Sequence, residues 1–111
     1  MRQHRDYFEL ECCIVEWAKE KGIFKGSSPL KQAQKTQEEL LELKRALLDQ
    51  AESKESKEEI KDALGDIMVT LLIQAEMQDL NLEECLDSAY EVIKKRKGKM
   101  VNGLFVKDKL Y

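Results

Sequence analysis

The chain has 111 residues, of which 37% are charged, with a formal net charge of −3 and a single Pro. That length is one domain, and little Pro and Gly beside abundant Leu, Glu, Lys and Ala is the composition of an all-α protein. The negative balance excludes a general nucleic-acid binder. No apolar run is long enough to cross a bilayer, and no N-terminal run resembles a signal peptide, so a cytoplasmic protein with no membrane or nucleic-acid partner is expected. A domain this small buries a limited share of its surface, which makes association with further copies an expected source of stability.

The first predicted helix covers residues 4–21. Phe8, Cys12, Val15 and Ala18, with Leu10, Ile14 and Trp17, form its apolar stripe, and Gly22 is the stop. Trp17 is expected in the core; the alternative is stacking on a nucleobase. Cys12, Cys13 and Cys85 have no disulfide or zinc spacing. They are expected to be small buried apolar residues of a protein in a reducing compartment. His4, the only His, is expected at the surface, and one His cannot supply the Glu-x-x-His pairs of a di-iron bundle.

Residues 22–28 read as a loop. Ser28-Pro29 is a helix start, Ser capping and Pro in the first helical position. The second predicted helix runs from Pro29 to about Ala51, with Leu40, Leu43 and Leu47 as its stripe and Leu41 and Leu48 on a flank. Glu38, Glu39 and Glu42 lie on one side of it. Glu39 sits at the boundary of the leucine stripe and can point inward more easily than Glu38. Gln34 and Lys35, one turn earlier, read as a solvated face, with substrate contact as the alternative.

Residues 52–57 read as a polar connector and 57–78 as the third helix. Ser56 and Glu59 fit a capping box, and the helix dipole favours Glu58, Glu59 and Asp62 near its start. Glu59, Asp62 and Asp66 share a narrow face. Asp66 precedes Ile67-Met68-Val69-Thr70-Leu71-Leu72-Ile73 and is expected to be partly buried, although no Lys or Arg occurs between Lys61 and Lys94 to pair with it. Gly65, unfavourable in a helix by about 1 kcal/mol relative to Ala, suggests close approach of another backbone or a ligand. If the two acidic faces turn toward each other they make a cage of hard oxygen ligands, as Mg²⁺ on a polyphosphate requires. The plain alternative is two solvated acidic faces on a highly charged chain.

Asn81 and Glu84 open a fourth helix to about Lys97, with Leu82, Cys85, Leu86, Ala89 and Ile93 as its buried set. Lys94-Lys95-Arg96-Lys97 ends it. A helix C-terminus accounts for one or two of these cations; phosphate neutralisation is the functional reading. Charge is unevenly spread, with ten acidic and five basic residues over 38–66 but seven basic and one acidic over 94–111. Asn102-Gly103 between apolar pairs predicts a hairpin, which must pack on the helices to be stable.

Glu38-Glu39-x-x-Glu42, followed by an acidic helix ending Leu64-Gly65-Asp66-Ile67, resembles the MazG family of all-α nucleoside triphosphate pyrophosphohydrolases over about Trp17 to Arg96. Glu83 through Gly103 is also similar to small MazG-like proteins of bacteria and their phages. The expected fold is a four-helix bundle, a homodimer or homotetramer because the all-round apolar segment 67–73 is too much for one small bundle to cover, and the resemblance implies that it hydrolyses a nucleoside triphosphate between its α and β phosphates with Mg²⁺ or Mn²⁺. It implies Glu39, Glu42, Asp62 and Asp66 as metal ligands and Glu38 as a further ligand or the residue positioning water. Glu59 is a weaker ligand candidate, and Lys94, Arg96 and Lys97 are phosphate contacts. One position departs from the family, whose second motif has Glu three residues before the Asp. Here that position is Ala63, which leaves Asp62 or Glu59 to substitute. Two alternatives remain: a non-enzymatic helical interaction protein, or a relative acting on phosphoribosyl-ATP or a deoxyuridine nucleotide.

Overall fold

The computed structural model describes residues 4–53 and 57–108. The elements in order are α1 (Tyr7–Glu20), α2 (Ile23–Gly26), α3 (Pro29–Ser53), α4 (Lys57–Met77), α5 (Leu82–Ile93), β1 (Gly98–Val101) and β2 (Leu104–Lys107). They fall into two compact units, Met1–Asn81 and Leu82–Tyr111. Among the described residues no helix is long and apolar enough to cross a membrane.

In the first unit the helix ends follow local chemistry. Asp6 caps α1 by accepting from the Glu9 amide at 2.8 Å, which satisfies one of the orphan donors of the first turn. Gly22 takes the left-handed conformation expected of a stop, with φ 73°. The stretch read as a loop after it closes one short helical turn, α2, in which the Gly26 and Ser27 amides donate to the carbonyls of Gly22 and Ile23. Ser28 caps α3 by accepting from the Lys31 amide at 3.2 Å. At the end of α4, Asp79 is left-handed with φ 57°, and the Leu80 amide donates back to the Ala75 carbonyl at 2.8 Å, closing the helix as a Gly would. The capping pair Ser56–Glu59 involves a residue outside the described ones.

α3 and α4 run antiparallel and carry the core between them. The Gln74 side-chain amide donates to the Pro29 carbonyl at 2.8 Å, and the Thr36 and Thr70 hydroxyl oxygens lie 2.8 Å apart. Thr70 is buried, and its hydroxyl donates to the Ile67 carbonyl at 2.7 Å, so its polar atom is satisfied. Ala18, Ala46, Ala63, Leu72, Ile73 and Ala75 are the buried apolar residues. Alanine at four of these six positions lets the backbones approach closely, as small residues do wherever helices pack tightly.

The buried lines differ from those expected. On α1 the covered line is Glu11, Ile14, Val15 and Ala18, whereas Phe8 and Leu10 are exposed and so are all three thiols, which are free. On α3 the covered line is Gln32, Thr36, Glu39, Leu43 and Ala46; Leu40, Leu41, Leu47 and Leu48 are exposed. Amphipathicity marks which stripe needs cover, not which neighbour supplies it, and here α4 faces the more polar line of α3.

The second unit holds α5 and the antiparallel hairpin. The hairpin pairs Gly98 with Lys107 and Val101 with Leu104, and turns at Asn102 and Gly103, both with positive φ, as the sequence predicts. Every residue of both strands is exposed, so the burial expected of the hairpin is not present in the single chain. The stripe of α5 is likewise uncovered, with Leu82 half-buried and Cys85, Leu86, Ala89 and Ile93 exposed. α5 stops at Ile93, four residues before the expected end. The Lys95 and Arg96 amides then donate to Val92 and Ile93 in turns, so the Lys94–Lys97 run lies beyond the helix.

Candidate functional site

The antiparallel register of α3 and α4 decides which acids meet. One turn along α3 from Thr36 is Glu39; one turn back along α4 from Thr70 is Asp66. The acidic faces of the two helices therefore line a common cavity of about 360 Å³. Glu39, Glu42 and Asp49 come from α3, Glu59, Asp62 and Asp66 from α4, with Arg45 on the rim and Ala46 and Ala63 as the apolar wall. Five of the sequence-predicted acids are thus brought together. Glu38 is not among the lining residues and is largely exposed, held by Lys35 at 3.2 Å.

Asp66, expected to be partly buried, is exposed in the chain; the apolar run that follows it turns its buried side at Thr70, Leu72 and Ile73. A Cβ built on Gly65 would meet nothing within 4 Å, so no backbone of this chain approaches it closely. Ala63 is buried in the cavity wall. The departure from the family motif therefore falls in the wall of the cavity that Asp62 and Glu59 also line.

A second cavity, of about 380 Å³, adjoins the first. Trp17 and Ile23 supply its apolar wall, Lys31, Gln32 and Lys35 its polar side, and Val69, Thr70 and Ile73 its part of α4. Glu39 and Asp66 line both cavities. Trp17, expected in the core, is 45% exposed and borders this cavity instead. Ser27 holds Gln32 in place, accepting from its side-chain amide at 3.1 Å.

Charge is distributed asymmetrically between these walls. Lys35 Nζ stands 3.2 Å from Glu38 Oε2 and 3.5 Å from Glu39 Oε1. The hydrogen bond to Glu38 and its charge, followed by those of Glu39, hold the Lys35 ammonium above its ordinary pKa of 10.5. The Arg45 guanidinium donates to Glu42 at 2.8 Å. Glu39 has the least exposed of the ion-paired carboxylates, with 14% of its side chain open to solvent.

The donor set fits a hard divalent cation: six carboxylates around one cavity and no soft ligand. Among the described residues no three acidic, His or Cys side chains are close enough to enclose an ion by themselves. Mg²⁺ in general binds one or two carboxylates and completes its shell with water and substrate phosphates. Arg45, Asp49, Lys31 and Gln32 were not singled out from the sequence. Asp49 lies seven residues after Glu42, two turns on along the same face, and continuing the acidic periodicity would have found it.

Lys94, Arg96 and Lys97 belong to the second unit. Lys94 pairs with Glu91 at 2.6 Å and its ammonium lies 5.7 Å from the centre of the Tyr90 ring.

The profile of the phosphoribosyl-ATP pyrophosphohydrolase family matches residues 16–97, a span that contains both acidic helices. No curated protein and no solved structure matches the chain. That family belongs to the MazG-like all-α nucleoside triphosphate pyrophosphohydrolases, hydrolases acting on phosphoric anhydrides, and the match covers well over half of the 111 residues: the chain belongs to the phosphoribosyl-ATP pyrophosphohydrolase family.

Proposed function

We propose that the groove between α3 and α4 hydrolyses the α–β anhydride of a nucleoside triphosphate, giving the monophosphate and pyrophosphate, with Mg²⁺ or Mn²⁺ as cofactor. The observation that supports this most is that Glu39 and Asp66 line both the acidic cavity and the cavity bordered by Trp17. A nucleotide is an aromatic base joined to a polyanion. Adjoining aromatic and cation-binding compartments match its two ends, with the α phosphate near the shared carboxylates.

Glu39, Glu42, Asp62 and Asp66 are the proposed ligands, with Glu59 as the weaker candidate. A bound divalent cation supplies charge neutralisation on phosphate oxygens and a lowered pKa for attacking water. Glu38, expected from the sequence to position that water, does not line the cavity, so the role of orienting it passes in this proposal to Glu39. Arg45 and Lys35 offset the carboxylate charge while the groove is empty.

A second reading has a specific observation in its favour. The matching family is described by its action on phosphoribosyl-ATP, a triphosphate whose base carries an additional ribosyl phosphate. Pyrophosphate release assayed in parallel on the common ribo- and deoxyribonucleoside triphosphates and on phosphoribosyl-ATP decides between them. Turnover of phosphoribosyl-ATP alone selects the narrow reading. Turnover of several nucleotides selects the broad one, and silence across the panel in the presence of Mg²⁺ and of Mn²⁺ removes both.

We further propose a homodimer or homotetramer acting in the cytoplasm. Leu40 and Leu47 on α3 and Leu64 and Met68 on α4 are exposed in the single chain, more apolar surface than a monomer leaves open without a partner. Three free thiols are consistent with a reducing compartment. Sedimentation equilibrium at micromolar concentration tests the assembly, and a monomer there would refute it.

A further inference from the structure

Four cations of the second unit converge on one cleft of about 510 Å³ that the acidic groove does not use. Lys95, Arg96 and Lys97 line it from the turn after α5, Lys107 from the end of β2, with Val92 as apolar wall and Asp108 as the single carboxylate among the described residues. The hairpin builds this convergence. Gly98 pairs with Lys107, and the Asp108 amide donates to the Lys97 carbonyl at 2.7 Å, which returns the chain to the lysine run. Gly98 permits so close a return, since a Cβ there would collide with the Val106 carbonyl oxygen.

A helix C-terminus does not account for this cluster. The dipole effect falls off within the last turn, α5 ends at Ile93, and Lys107 stands on a strand. Nor does any of these cations form an ion pair within the described residues, although Asp108 lines the same cleft. Among the described residues the ion pairs involve Lys35, Arg45 and Lys94, and none involves Lys95, Arg96, Lys97 or Lys107. Lys94 is the contrast within the same run, since it pairs with Glu91 and lies near Tyr90. Four like charges around one concave surface repel one another until a compact anion of high charge density sits among them. The guanidinium of Arg96 offers the planar fork that suits phosphate oxygens, and the lysines offer point charges beside it.

We propose that this cleft binds a short polyphosphate anion, pyrophosphate or triphosphate, without a divalent cation. The inference goes beyond the hydrolytic reading, because the second unit alone supplies the residues and no metal is involved. Its source is either free inorganic polyphosphate or the phosphate tail of a nucleotide, and the chemistry recognised is common to both. The measure of charge and volume disfavours nucleic acid, whose long backbone needs an extended basic track on a protein that carries a net charge of −3.

The test is titration calorimetry on the full chain in excess chelator. There the acidic groove has no cation and repels anions, so any polyphosphate binding reports the basic cleft. The probes are inorganic pyrophosphate, inorganic triphosphate and ATP. Saturable binding of an inorganic probe, weakening as salt rises, is the expected result, and ATP binding as well as triphosphate identifies the nucleotide tail as a source. Arg96→Gln and Lys107→Gln should each weaken binding by about tenfold, the usual loss for a charge-assisted hydrogen bond, whereas Lys94→Gln should change it by less than about twofold. All these side chains are exposed, and unchanged melting temperatures would establish that the variants fold. No saturable binding of either inorganic probe would overturn the proposal. So would equal losses in all three variants, which mean a diffuse charge effect, or displacement of triphosphate by a DNA oligonucleotide at lower phosphate concentration. No turnover enters the measurement, so failure of the hydrolase reading would leave its outcome intact.

Discussion

Lys35 Nζ stands 3.5 Å from Glu39 Oε1 and thereby holds one of the two carboxylates that both cavities share. An ammonium there competes with any cation for the same oxygen. Exposed pairs of this kind are worth about 0.2–1 kcal/mol, and about half of the Lys35 side chain is open to solvent. Lys35→Met should therefore tighten Mg²⁺ binding to the nucleotide-free protein by a factor of about two to five, read by thermal-shift titration. Unchanged or weaker Mg²⁺ binding would mean that Lys35 and the cation use different faces of Glu39. Because the folded pKa of Lys35 is raised above 10.5, the stabilisation from this pair is fully present below that value. It is lost only as pH rises through the raised value, so a melting-temperature profile from neutral to mildly alkaline pH should not distinguish Lys35→Met from wild type by slope.

The carboxylate set makes a sharper prediction. Like charges about 4 Å apart repel by roughly 4 kcal/mol at an effective dielectric near 20. Asp66 and Asp62 are exposed, which reduces that figure, so relief by Asp66→Asn should raise the metal-free melting temperature by only a few degrees. The same change should abolish the rise that Mg²⁺ gives wild type by binding the folded state. Asp62→Asn should also abolish the Mg²⁺ response and the activity, whereas Glu59→Gln should lose mainly some stability. Both residues line the cavity, and Asp62 lies one turn from Asp66 while Glu59 lies two turns away, roughly 10 Å along the axis. The opposite pattern would transfer the ligand role to Glu59. A full Mg²⁺ response in all three variants would place the cation elsewhere.

Much of this arrangement is legible in the sequence because its cause is local. Ser28, Gly22 and Asn102-Gly103 fix their turns through their own backbone and side-chain chemistry; the Asp6 cap and the short turn α2 are equally local but do not stand out in the sequence. That each acidic cluster shares one face of its own helix followed from periodicity; that the two faces meet across one cavity did not. What could not be read was which stripe of α3 meets α4. A leucine line and a mixed line compete on that helix, and the Thr36–Thr70 contact at 2.8 Å belongs to the mixed one. The same cause exposes Trp17 and the thiols, for an apolar stripe announces a need for cover without naming its neighbour. Arg45 and Lys31 were passed over because a cation on a charged helix carries no periodic signal of its own.

Trp17 gives the nucleoside side of the account its own test. It is the single Trp of the chain, so its fluorescence reports one place. Addition of a nucleoside triphosphate should quench it, while inorganic triphosphate should not. Trp17→Ala should raise KM by about tenfold or more, the loss expected for one base–aromatic stack, with a smaller effect on kcat. Since the ring is nearly half exposed, the variant should fold. A collapse of the melting temperature with unchanged KM in the folded fraction would return Trp17 to the core.

The central claim is that the α3–α4 groove breaks the α–β anhydride. Phosphorus NMR of the reaction mixture identifies the products directly, for wild type and Glu39→Gln side by side with Mg²⁺ and again after chelation. The account predicts pyrophosphate and nucleoside monophosphate from wild type, neither after chelation, and loss of turnover by at least about a hundredfold in Glu39→Gln. Orthophosphate with nucleoside diphosphate, or wild-type turnover by Glu39→Gln, would contradict it.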